Sequence, residues 1–285
     1  MIMKKTKFIF ELILIASFCL TVGCKTYFCD PNLPLTDRCN QLEAQIEEWG
    51  DDDIFIETDI GNPKNCIKMI LAAPHGAFDE QTDEVVRDIQ RLSGGFPSVA
   101  PPTGDAYSYV IFHEFRTGDR DNNVNRPTKY ETEAIDDIAI LVYDCYRSTV
   151  RDLVGSFGDI DWYIEIHGNS LKATENYIDI AVSKSINDTE ATKIYDWFKL
   201  TLDYIDEGLT PRVEKSNEGG SPYWTASASK ETGILCLLDK QGVNYLHIEI
   251  PYEFRNNVDK RRKIVAAIGT ALWAIRFDSG LTRRC

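Results

Sequence analysis

The chain has 285 residues, 43% of them hydrophobic and 27% charged, with a formal net charge of −14. That length is enough to bury the core of one large domain. The acidity disfavours nucleic acid and anionic membrane surfaces as partners, and no internal repeat or low-complexity tract points to a fibrous or array architecture.

Residues 1–23 read as a secretory signal: Lys4, Lys5 and Lys7 precede an apolar run from Leu12 to Gly23 that is too short to span a membrane. The following "LTVGC" resembles a bacterial lipobox, although Thr21 stands where such boxes carry an aliphatic residue. Two readings stay open, a soluble secreted protein and one tethered at the cell surface through a lipidated Cys24. Of eight cysteines, Cys19 and Cys24 belong to the leader and its cleavage point. The remaining Cys29, Cys39, Cys66, Cys145, Cys236 and Cys285 form an even set, which in an exported chain suggests disulfides. "NDT" at Asn187 is a glycosylation acceptor if the source is eukaryotic.

Residues 24–60, with "EEWGDDD", Pro31 and Pro34, read as a polar lead-in, and residues 61–285 as a single domain. "NCIKMILAAPHG" is an apolar strand ended by Pro74. Residues 83–92 follow as a helix with Val85, Val86, Ile89 and Leu92 on one stripe. After the Gly/Pro-rich loop 94–105, residues 107–116 read as a strand. A capping box from Thr128 to Glu131, just after Pro127, predicts a long helix with a stripe of Ile135, Ile138, Leu141, Val142 and Cys145. That stripe makes Cys145 a candidate core thiol. Then come the strands 162–168 and 177–183, a helix 190–205, a strand 244–251 and a closing helix 258–277. Strands alternating with helices predict an α/β domain of three layers, with a mixed, largely parallel sheet and helices on both faces.

Three strand ends carry the side chains of chemical interest. The first, "APHGAFDE", offers His75 and, five residues on, Glu80. The second, "DWYIEIHGNS", puts Tyr163, Glu165 and His167 on one face and Ile164 and Ile166 on the other. The third, "LHIEIPYEFR", puts His247 and Glu249 on one face. Two histidines and a carboxylate, with a fourth position left to water, make the ligand set of a catalytic zinc site. Glycine after His75 and after His167 would let the backbone bend sharply there. The plainer readings are a turn histidine at each strand end and a solvated helix-start carboxylate at Glu80, where Asp79 competes for the ligand role. Glu165 is placed to orient His167. His247 reads as a substrate contact, a support for a ligand, or a core histidine. His113 reads as structural.

The ordered set "PHG…E", "NRP", "IHG" and "IEIP" resembles the N-formylglutamate amidohydrolases over about residues 66–277. That family shares its fold with the zinc carboxypeptidases, the poly-γ-glutamate hydrolases and the acyl-amino-acid deacylases. The resemblance implies one zinc per chain on His75, Glu80 and His167, a general base at Glu249, and a substrate carboxylate gripped by Asn125 and Arg126. Guanidinium suits that task because its planar fork binds a carboxylate through two bonds. Arg116 is the implied oxyanion partner, with Arg120 as its rival. The implied reaction is hydrolysis of an amide bond beside a free carboxylate, in an N-acyl amino acid, a γ-glutamyl polymer or a peptide C-terminus. The alternatives are an exported binding protein that keeps the fold without catalysis and, ranked last, a serine or cysteine hydrolase, since no G-x-S-x-G elbow is present.

Overall fold

In the computed structural model, residues 54–60, 68–75, 81–93, 109–117, 120–121, 124–128, 134–135, 137–169, 176–218, 226–278 and 281 are described. Among the described residues eight strands join in one sheet: β1 (Ile54–Ile60), β2 (Met69–Ala73), β3 (Tyr109–Thr117), β4 (Arg120–Asp121), β5 (Trp162–Asn169), β6 (Tyr177–Val182), β7 (Thr210–Val213) and β8 (Asn244–Pro251). Their spatial order is β1-β3-β2-β5-β8-β6-β7, with β4 paired to β3. The centre, β3-β2-β5-β8, is parallel, while β1 runs antiparallel to β3 and β6 antiparallel to β8.

The helices are α1 (Thr82–Ser93), α2 (Asp137–Val154), α3 (Asp188–Ile205), α4 (Ser227–Thr232), α5 (Ile234–Gln241), α6 (Tyr252–Asn256) and α7 (Val258–Phe277). On one face of the sheet, Leu71, Ile164, Ile166, Ile180 and Ile248 pack against α1, α3 and α7 through Val85, Ile194 and Ile268. On the other face, Ile70, Ala72, Tyr163 and Tyr245 pack against α2 and α5 through Val142, Tyr146 and Leu235. This is the expected three-layer α/β arrangement. β2 is buried throughout, and β5 and β8 nearly so, which is why β2 reads as a continuous apolar run.

Some local expectations shift. β1 lies inside the stretch read as lead-in and pairs with β3 along its whole length. α2 begins at Asp137 rather than at the Thr128 capping box, and Thr128 instead forms an isolated antiparallel bridge with Ile135. Cys145 is buried as its stripe predicts, yet it is disulfide-bonded, as is Cys236, and so is no free core thiol. Asn187 caps α3 in a reciprocal capping box with Glu190.

The sheet's connections decide where a site can form. From β2 the chain crosses by α1 on one face to β3, and from β3 it returns by α2 on the opposite face to β5, on the far side of β2. The strand order therefore reverses between β2 and β5. In open α/β sheets, ligand crevices lie at such reversals, outside the carboxyl ends of the strands.

Candidate metal and catalytic site

His75 follows the end of β2 and His167 lies near the end of β5, one on each side of that reversal. Their ring centroids are 5.1 Å apart, and both side chains are buried. β8 completes the group. Its register sets His247 beside Glu165 and Glu249 beside His167, so four polar side chains form a square on the α2/α5 face. Three of the chain's four histidines thus meet in one place.

Glu165 is the hub. It is fully buried, a costly place for a carboxylate unless donors surround it. Among the described residues four side chains reach it: Tyr163 Oη donates to Oε1 at 3.0 Å, Asn125 Nδ2 lies 3.3 Å from Oε1, and His167 Nε2 and His247 Nδ1 lie 3.3 and 3.0 Å from Oε2. Burial alone would push the Glu165 carboxyl up, but hydrogen bonds and charge from the two histidines outweigh it and hold the group well below the usual carboxylate range. Tyr163 is bonded in turn to Tyr146, and burial raises both phenols, which keeps them protonated as donors.

Glu249 lies near the end of β8, its side chain 15% exposed. His247 Nε2 lies 3.0 Å from its Oε1. Its neighbour on the next strand is Asp179, a second acid flanked by isoleucines. Arg212 neutralises Asp179 through two bonds of 2.6 and 2.7 Å, so Glu249 does not face a bare like charge.

Asn125, the expected substrate contact, lies against Glu165. It is fully buried, and its amide nitrogen donates to Glu165. Its carbonyl accepts from Ile234 at the start of α5, where Gly233 permits the approach because a Cβ would lie 2.4 Å from that oxygen. Arg126, half-buried, donates weakly to Asn125 Oδ1 at 3.5 Å. Gly168 does not bend the backbone through a positive φ. Its missing Cβ makes room for the Arg255 guanidinium, whose Cζ would lie 2.4 Å from such an atom. Glu80, Asp79 and Gly76 lie outside the described residues. Arg116 and Arg120 lie on β3 and β4, but their side chains are outside the description.

The donor set suits a divalent metal. Among the described residues, Glu165, His167 and His247 offer ligand atoms that all lie within 4.8 Å of one another, with His75 against His167. His167 already gives one ring nitrogen to a buried carboxylate, the arrangement that orients metal-ligating imidazoles. Sequence reading missed Asp179, Arg212, Tyr146 and the Asn125–Glu165 bond. The signal for Asp179 was present in "YIDIAV", an acid between apolar strand neighbours like Glu249 in "IEIP".

No protein-family model matches the chain, and no curated protein matches it. Among solved structures, it is similar to a bacteriophage poly-γ-glutamate hydrolase at 14% identity, covering 79% of this chain and 90% of that one, with a TM-score of 0.41. It is similar to a metallo-carboxypeptidase from Burkholderia cenocepacia at 16% identity, covering 84% and 69%, with a TM-score of 0.46. A metallo-carboxypeptidase from Pseudomonas aeruginosa shares 14% identity over 85% and 69%, with a TM-score of 0.42. At these values the likenesses assign no function, and the residues of the site must carry it.

Proposed function

We propose that the chain is a metal-dependent hydrolase that cleaves an amide bond beside a free carboxylate. One observation carries the reading: His75 and His167 meet across the strand-order reversal, and Glu249 stands in register with His167. His75 and His167, joined by Glu80, are the proposed metal-holding residues. Glu165 and His247 are less suited to that task, since four donors already surround Glu165 and both ring nitrogens of His247 face carboxylates.

A zinc ion held there would polarise the scissile carbonyl and lower the pKa of water. Glu249 is the proposed base. One of its oxygens is held by His247, and the other accepts the proton from water and delivers it to the leaving amine. Arg126 binds the substrate carboxylate, while Asn125 supports both Arg126 and Glu165. Arg116 is the proposed partner of the developing oxyanion. The substrate class is an N-acyl amino acid, a γ-glutamyl polymer or a peptide C-terminus, and the finer assignment to the N-formylglutamate amidohydrolase type rests on the four sequence motifs alone. Export, as a secreted or Cys24-anchored protein, rests on the leader and accords with the disulfide-bonded state of Cys145 and Cys236.

The test is amide hydrolysis by zinc-loaded protein on N-acyl amino acids, γ-glutamyl peptides and peptides with free and amidated C-termini. Free-carboxylate substrates are cleaved, chelation stops cleavage, Arg126→Ala raises KM, and Glu249→Gln abolishes turnover with zinc retained. Equal rates on free and amidated peptides would overturn the carboxylate requirement. Full activity after chelation would overturn the metal.

A further inference from the structure

We propose that His247 is a positioning residue that ties Glu249 to the buried carboxylate of Glu165 and so fixes the base opposite His167. The inference rests on the hydrolase reading for the role of Glu249, while the tie itself stands on geometry. His247 Nδ1 lies 3.0 Å from Glu165 Oε2, and its Nε2 lies 3.0 Å from Glu249 Oε1. The ring also stacks on His167, with centroids 4.2 Å apart and planes 24° apart. Both nitrogens and one face of the imidazole are therefore engaged, and the side chain is 6% exposed.

A glutamate at a strand end has three side-chain torsions, and in water it samples many rotamers. Glu249 is held by a ring that is itself held. Behind that ring, Glu165 is fixed by Asn125 and by Tyr163, and Tyr163 is bonded to Tyr146 on α2. A chain of five side chains, Tyr146–Tyr163–Glu165–His247–Glu249, thus runs from a helix in the core to a partly exposed carboxylate near the end of β8. Its last member is the only one of the five that is not buried. Such a chain sets the base in place before substrate arrives, and a displacement of about 1 Å at a reacting group can cost roughly a hundredfold in rate.

The two bonds can be separated by substitution. The amide of Asn places a nitrogen near the Nδ1 position and keeps the bond to Glu165. The amide of Gln reaches the Nε2 position and keeps the bond to Glu249. His247→Asn is expected to lower kcat by about tenfold to a hundredfold, with KM and zinc content little changed, and His247→Gln to lose less, though it stays below wild type because its bond to Glu165 is gone. A core role without positioning would cost stability equally in both variants and leave no such difference.

A second arm needs no activity. In metal-free protein with 15N-labelled histidine, Glu249→Ala is expected to move the His247 Nε2 resonance and leave Nδ1 in place. Equal kcat in the Asn and Gln variants, or a Nε2 signal indifferent to Glu249→Ala, overturns the proposal. Zinc lost from both His247 variants also overturns it, because His247 would then be a ligand. If wild-type protein cleaves no probe, the hydrolase reading fails, and the resonance arm still decides the tie.

Discussion

Adding a single methyl group at Gly168 should be costly, and most of the cost should disappear when one arginine is removed. An ideal Cβ at Gly168 would lie 2.4 Å from Arg255 Cζ and 2.5 and 2.6 Å from its two terminal nitrogens. Ordinary contact between carbon atoms begins near about 3.5 Å, so the guanidinium must retreat by about 1 Å. It has little room. Arg255 is 1% exposed, and its Nε donates to the Ile250 carbonyl at 3.1 Å. Overpacking of a filled interior costs about 1–3 kcal/mol, and disturbing a buried charged hydrogen bond about 1.5–3 kcal/mol. Gly168→Ala is therefore expected to destabilise by about 3 kcal/mol, a fall in Tm of roughly 6–12 °C for a chain of this size. The assay is urea unfolding of wild type, Gly168→Ala, Arg255→Ala and the double variant. In the Arg255→Ala background the Gly168→Ala cost should drop below about 1 kcal/mol, a coupling of about 2 kcal/mol. The same cost in both backgrounds would refute the clash.

The acid limb of stability should depend on Glu165. Its folded carboxyl lies well below the unfolded value of about 4.3, so its contribution is complete above that pH and is shed as pH falls below it. Metal-free Glu165→Gln should lose stability less steeply than wild type between about pH 5 and pH 3 in urea titrations. Parallel slopes would contradict the assignment. At the start of α3, Asn187→Ala should cost about 1 kcal/mol in the same assay, with Asn187→Asp restoring most of it, since Asn187 Oδ1 accepts from Glu190 N at 3.0 Å. An unchanged midpoint in Asn187→Ala would show the cap to be idle.

Much of the site can be read from period-two alternation. The face shared by Tyr163, Glu165 and His167, and that shared by His247 and Glu249, follow from strand geometry alone. Register does not. Glu165 and His247 stand 82 residues apart, and nothing local in either strand says that they are neighbours. The sequence therefore suggested a carboxylate near His167 but not its bonds to a second histidine, to Asn125 and to a tyrosine pair. β1 and β7 were missed for a related reason. "IFIETDI" follows an acidic run, and "TPRV" holds four residues with a proline, so tertiary pairing rather than local propensity makes them strands. The Thr128 box was legible as a cap, but Thr128 instead bridges to Ile135 and the helix begins at Asp137. Glycine after His167 was legible as a special position, but for the wrong cause. A fully buried guanidinium fills the space, and its arrival from α6 lies outside any local pattern.

The most direct measurement is metal content and zinc affinity of the purified chain and two variants, by elemental analysis and titration calorimetry. About one zinc per wild-type chain is expected, as in a mononuclear catalytic site. His75→Ala and His167→Ala should each lose most of it while keeping their fold by circular dichroism. Full zinc occupancy in both variants would contradict a metal centre built across the β2–β5 reversal.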